Sequence, residues 1–438
     1  MDRYPPLSYI GSMGYTRLPV LAGALVLACM LASAQEPLRA KDVRNLAKQG
    51  SNALPRLQEL LRNPDLDTRL EAVKAITDVG TQGSLVPLIQ ATADSDPEVQ
   101  IRATDGLVNF YLPGYVQRGL GASLKRVGTT IKGKFTDTND QIIDPFVVPR
   151  PDVIQALGIL VRSGGGMDAR ANAARALGIL RGKAAVPDLL AALRSKDTDV
   201  IYESLIALQK IRDESAAPGV AYLLHDLDQK VQLAAIETVG LLQSKSSVPQ
   251  LIDVLDNSRN IKVRRAALTS LAMLGDEKSR TVFTRYLHDK DDGLRASAAE
   301  GFARLKNPAD LPMLEKAFQD EGKTAPRLGL AFAQVMLGKT EVSEFSPFQL
   351  LINTLNSMGY RGVAYAYLVE IARNPALRPP LYHAVEIGTK DEKVFLARVL
   401  AVSGGQDTVA CLEKLSHDED DEVAQEGLRA LRSLRARL

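Results

Sequence analysis

Val186-Pro187-Asp188-Leu189-Leu190-Ala191-Ala192-Leu193 and Val263-Arg264-Arg265-Ala266-Ala267-Leu268-Thr269-Ser270-Leu271 are the two halves of one recurring unit. The first half opens on a proline, which fits the first turn of a helix because its missing N–H has no partner there anyway. Pro187, Pro218 and Pro249 lie 31 residues apart, Pro312 follows 63 further on, and Pro55 and Pro87 are 32 apart. In the second half, Val263, Ala267, Leu271 and Leu274 take the i, i+4, i+8, i+11 spacing of one helical face. Val99, Val200, Val231, Leu294 and Val423 share the column of Val263. Three residues before these positions stand Asp96, Asp197, Asp228, Asn260, Asp291 and Asp420, residues whose oxygens accept from free first-turn N–H groups. Their charge, where present, also suits the positive end of the helix dipole. Small residues recur in mid-helix at Ala72, Ala103, Ala173, Ala235, Ala267 and Ala298, and allow close helix approach. Gly80, Gly182 and Gly275 are placed to end helices in the left-handed conformation.

The pattern covers nearly all of residues 50–438 and yields about eleven units. It predicts an all-α fold, an α-solenoid superhelix of helix pairs whose second helices line the inner face. Stability in such an array approximates a sum of nearest-neighbour interfaces. The last helix, bearing Arg429, Arg432, Arg435 and Arg437, is expected to cap the stack. The columns P-x-L-L-x-x-L, D-x-D and V-R-x-x-A-A-x-A-L resemble HEAT repeats, and more narrowly the short HEAT-like units of phycobilin lyases. Those lyases bind a linear tetrapyrrole and attach it to a cysteine of a partner protein. The resemblance is carried by the repeat, which serves many unrelated functions.

The composition agrees with a helical stack: 45% of the 438 residues are apolar, 5% are aromatic and Trp is absent. A net charge of +2 gives no global basic footprint for nucleic acid. Residues 1–34 read as a signal peptide: Arg17, an apolar run over 18–31, and Ala32-Ser33-Ala34 as the cleavage site. The expected localisation is therefore periplasmic or secreted, with Gln35 as the mature N-terminus. Val26-Leu27-Ala28-Cys29 offers a lipoprotein alternative, with Cys29 carrying the lipid, and an uncleaved anchor is a third; these are the two routes to membrane attachment. After cleavage Cys411 is the one remaining cysteine, so no intramolecular disulfide forms. Its place on an apolar face marks it as structural.

The domain reading that follows is 38–114 repeats, 115–150 a non-repeat insertion, and 151–438 repeats. The insertion carries Arg118, Lys125, Arg126, Lys132 and Lys134, then the apolar run around Phe146. Solenoid insertions leave on one face, often the binding face, so these residues are candidate partner contacts. Arg264 and Arg295 join them from a helix column shared with Arg69 and Arg170. That column reads either as a ladder pairing with acids of the next unit or as a basic strip facing an acidic partner. Tyr360, Tyr365 and Tyr367 cluster in a weaker irregularity over 340–380, at a spacing that suits the core better than recognition.

Chemical motifs thin out under the repeat. His225-Asp226, His288-Asp289 and His417-Asp418 suggest metal pairs, and the HEAT-repeat enzyme deoxyhypusine hydroxylase holds iron with His-Glu pairs. No His-Glu dipeptide occurs here, and the three pairs fall in one turn column. A solenoid advances about 10 Å per repeat, whereas metal ligands lie about 2 Å from the ion. The run Asp418-Glu419-Asp420-Asp421-Glu422 lacks the spacing of a calcium loop, and Gly164-Gly165-Gly166 lacks the Lys-Ser/Thr of a phosphate loop. The expectation is an exported, non-catalytic scaffold without cofactor or metal, gripping a protein partner in its groove and with the insertion. The alternative is an enzyme or enzyme subunit on a HEAT scaffold, lyase-like or metal-dependent.

Overall fold

The computed structural model describes residues 40–116 and 141–438, and among these no strand occurs. After a short helix at Ala40–Ala47 come pairs of antiparallel helices. The first helices are Leu54–Leu60, Gln82–Ala91, Pro151–Ser163, Val186–Ala192, Val248–Asn257, Arg280–Tyr286, Leu311–Asp320, Pro347–Asn353, Pro379–Ile387 and Val409–Leu415. The second helices are Leu66–Val79, Pro97–Tyr111, Met167–Ile179, Thr198–Ile211, Gln229–Leu241, Ile261–Leu274, Asp292–Leu305, Thr324–Met336, Arg361–Ala372, Lys390–Ser403 and Asp421–Arg437. With one first helix replaced by 3-10 turns, this gives eleven units among the described residues, an α-solenoid.

The caps act as their residue types require. Asp96 accepts from the N–H of Glu98 at 2.8 Å, and Asp197 from those of Asp199 and Val200, both at 3.0 Å. Asp228, Asn260, Asp291 and Asp420 do the same for their helices. The preceding acid closes each turn: Asp94, Asp226, Asp289 and Asp418 accept the N–H of the cap residue at 2.8, 2.8, 2.9 and 3.0 Å. The Asp of each His-Asp pair thus holds a turn. The acidic run at 418–422 is neutralised from the neighbouring unit, Lys393 reaching Asp418 at 2.7 Å and Lys390 reaching Glu422 at 2.8 Å.

Second helices pack on second helices far more extensively than first helices on first helices. In a stack of pairs, the more closely spaced layer lies on the inside of the bend. The six mid-helix alanines sit there with no exposed surface at all.

Three local expectations are corrected. Pro218 does not open an α-helix; the fifth unit has 3-10 turns at Glu214–Gly219 and Ala221–His225 instead. Gly219 follows that proline, and glycine is a poor first-turn residue; a Cβ there would meet Leu190 at 2.8 Å. Pro87 lies inside the helix Gln82–Ala91, which starts five residues earlier at the Thr81 cap. Gly182 is not left-handed, because Arg181 takes that conformation one residue earlier at φ 50. Gly80 and Gly275 do end their helices at φ 59 and 53.

Candidate functional site

The inner layer carries a second regularity, running across units rather than along them. At four of the ten junctions between second helices, the residue nine past one cap bonds to the residue six past the cap of the next unit. Asn172 donates to Asp105 at 2.9 Å, Arg175 holds Glu203 with two bonds at 3.2 and 2.6 Å, Thr269 meets Ser297 at 2.8 Å, and Arg398 holds Glu426 at 3.0 and 3.2 Å. Burial alone would lower the Arg175 pKa, but the Glu203 pair outweighs it and leaves the pKa raised. These four rungs give the inner face polar pairs that satisfy themselves.

The other six junctions lack such a pair, and two of them carry an acid. Glu237 stands opposite Ala266, and no described side chain pairs with it. Surrounding protein raises its carboxyl above the usual range, although the side chain stays in contact with solvent. Glu300 stands opposite Gly329 and is met from further away. The Tyr367 hydroxyl donates to it at 2.7 Å and Arg304 at 3.2 Å, while Arg304 also holds Glu370 at 2.9 and 2.8 Å. Tyr367 stacks on Phe332 with centroids 4.6 Å apart and planes 8° from parallel. Burial, then Glu300, pushes the Tyr367 hydroxyl well above its ordinary pKa. Of the clustered tyrosines, Tyr367 is thus core, Tyr365 half-buried and Tyr360 partly exposed.

The arginine column acts mainly as a ladder. Arg69 donates to Asn63 O at 3.0 Å and to Asp94 of the next unit at 2.9 Å. Arg295 donates to Asp289 O at 2.8 Å and holds Glu321 of the next unit at 2.7 and 3.1 Å. Gln100 takes the same role, donating to Asp94 O at 2.6 Å, as does Gln232 to Leu224 O at 2.9 Å. A donor that reaches back to the end of the first helix is therefore what the column selects. Arg264 is more open: it lies 3.4 Å from the Tyr286 hydroxyl and lines a shallow cleft with Arg285, His288 and Lys290.

Of the insertion residues, Arg118, Lys125, Arg126, Lys132 and Lys134 lie outside the described residues, as does the leader. The return arm is anchored along the C-terminal ends of three second helices. Lys210 donates to Gln141 O at 3.3 Å, the N–H of buried Ile143 to Ile179 O at 3.0 Å, and the N–H of Arg150 to the Tyr111 hydroxyl at 3.0 Å. Phe146 is 71% exposed on that arm. Cys411 is half-buried, and burial pushes its thiol up to about 11.

The family model for HEAT repeats matches residues 24–108, 154–240, 218–303 and 248–331. The bilin biosynthesis protein PecE of Nostoc sp. is 24% identical over 198 residues, 43% of this chain and 76% of that protein. PecE of Mastigocladus laminosus is 37% identical over 111 residues, 25% of this chain and 41% of that protein. Among solved structures, the complex of CpcE and CpcF of phycocyanin lyase from Nostoc sp. aligns at a TM-score of 0.33 and 17% identity, over 58% of this chain and 94% of that one. Kap121p bound to Nup53p aligns at 0.43 and 14% identity, over 96% and 57%. The two PecE matches correct the expectation of a non-catalytic scaffold that is no enzyme: both relatives are named for bilin biosynthesis, which favours the lyase-like alternative. A search for nucleophiles and metal sets misses such a role, because a subunit that positions a substrate needs neither.

Proposed function

On the premise that this chain belongs to the HEAT-repeat family, we propose that it is a subunit of a lyase-type enzyme that holds a linear tetrapyrrole and presents it to a protein partner. The match to PecE over 76% of that protein's length carries the reading. The inner face supports it. A linear tetrapyrrole offers several N–H donors, and Glu237 is a carboxylate on that face with no protein partner to compete for them. Attachment adds a partner's thiol across a carbon–carbon double bond of the ligand: the S–H and π bonds break, the sulfur bonds to one carbon and the proton passes to the ligand. It asks of this chain only that ligand and partner be held together, which fits a face without a nucleophile of its own. The protein partner itself belongs to the proposal, and the exposed Phe146 arm with the Arg264 cleft is where it is expected to touch.

Titrating purified protein with biliverdin tests this. A saturable shift of the visible absorbance is expected, weakened about tenfold, or about 1.4 kcal/mol, by Glu237→Gln. No spectral change up to millimolar ligand overturns the reading. Export through the leader is a separate proposal about compartment. Mass spectrometry of the mature N-terminus decides it: Gln35 first supports export, lipid on Cys29 places the chain on a membrane, and an intact Met1 overturns both.

A further inference from the structure

One junction in the stack is built differently from the others. Between the helices Thr324–Met336 and Arg361–Ala372 the backbones approach less extensively than between any other two consecutive second helices. The connection leading there is long, and it contains two residues in the left-handed region, Gly338 at φ 111 and Phe345 at φ 68. Phe345 is a bulky residue for that conformation, and it is 86% exposed. Sparse packing between these two second helices and a strained connector set this joint apart, with the first helix Pro347–Asn353 holding the next unit against Thr324–Met336.

Side chains make up the difference. Arg304 and Glu370 are 66 residues apart, and Glu300 and Tyr367 are 67 apart, each about two periods. Elsewhere the side-chain bonds between units join neighbours, 25 to 36 residues apart in cases such as Arg69–Asp94, Arg175–Glu203, Arg378–Asp407 and Asn356–Glu392. Longer separations, as in Asn172–Asp105, merely include the insertion. The bonds from Asp292–Leu305 to Arg361–Ala372 therefore skip a unit and close over the helix between them. That helix, Thr324–Met336, is buried from Leu328 through Val335. Phe332 is the surface on which the clasp closes, with Tyr367 stacked on it and the Arg304 guanidinium 5.5 Å from its ring centre.

We propose that this junction is a hinge, and that Glu300, Arg304, Tyr367 and Glu370 form a latch that holds it shut. The latch sets the angle between the part of the array before residue 337 and the part after residue 346, and with it the width of the inner groove. Opening it exchanges two charge-assisted bonds and one hydroxyl bond for water and parts the Tyr367 ring from Phe332. The inference is independent of the tetrapyrrole reading, because it concerns shape and not ligand.

Spin labels at Lys245→Cys and Glu419→Cys, with both native cysteines changed to serine, report the distance between the arms by pulsed EPR. The double variant Arg304→Met/Glu370→Met is expected to lengthen the mean distance or broaden its distribution about twofold, with helical circular dichroism unchanged. Tyr367→Phe keeps the Phe332 stack and is expected to give an intermediate broadening. Distributions that superimpose on the wild type overturn the hinge. Should the double variant not fold, native hydrogen exchange still decides. Amides of residues 361–372 are expected to exchange at least tenfold faster than those of 292–305, and equal protection overturns the proposal.

Discussion

At the scale of the residue, most of the determinants are turn chemistry. Asp291 shows how much one side chain does: it accepts the Leu294 N–H at 3.0 Å and pairs with Arg265 through bonds at 2.8 and 2.6 Å. The cap is worth about 1 kcal/mol, and the half-exposed ion pair adds less than about 1 kcal/mol. Asp291→Ala is therefore expected to cost about 1–2 kcal/mol, measured as a lower urea midpoint with an unchanged slope. Asp96, Asp197, Asp228, Asn260 and Asp420 were legible for the same reason, since an N-cap is a local contract between one side chain and amides two or three residues on. Arg181, Arg212, Gln243 and Lys306 were not legible, because these non-glycine residues take φ between 50 and 59 under packing that no local pattern records.

At the scale of the element, small residues decide how closely second helices approach. A Cβ on Gly178 would lie 2.8 Å from the Ala207 Cα, where the obstacle is backbone and cannot swing aside. Helix propensity favours Ala over Gly by about 1 kcal/mol, but overpacking costs about 1–3 kcal/mol. Gly178→Ala is expected to lower stability by about 1 kcal/mol, whereas Gly362→Ala, with nothing within 4 Å, should raise it by about 0.5–1 kcal/mol. Chemical denaturation of the two variants side by side gives the opposite signs. The inner rungs belong to this scale too. Arg175 and Glu203 lie 28 residues apart, and so do Arg398 and Glu426. Alignment of the units by their caps carries that signal, but the caps reveal the pairing only once it is known that second helices stack on second helices. Glu300 and Glu370 stayed hidden even so, because their partners lie two units away across an irregular stretch.

At the scale of the whole molecule, charge pairing between units ties the array to pH. Hydrogen bonds from Arg265, Arg398 and Lys393 hold Asp291, Glu426 and Asp418 below their ordinary values of 3.8, 4.5 and 3.8. These carboxyls bind protons less readily when folded than when unfolded. Their contribution is thus complete above about pH 5 and is lost as the pH falls through the depressed folded values. Glu237 and Asp78, both raised by burial, act in the opposite sense. The urea midpoint is therefore expected to be flat from pH 7 to 5 and to fall steeply below about pH 4. The overall fold was legible because a period repeated eleven times averages out local errors such as Pro87 and Pro218. The site was not, because the inner face gains its character from pairs that exist only after stacking.

The bonds from Arg304 to Glu370 and from Tyr367 to Glu300 have a mechanical consequence. An array whose neighbours touch only neighbours peels under tension one unit at a time, each released at a similar load. Here, pulling from the C-terminus loads the clasp before the helix Thr324–Met336 feels any force. The seventh to ninth units then yield together, as a single longer step early in an otherwise even sequence of short ones. Such a block would act as a mechanical stop, dividing an elastic chain into two springs in series.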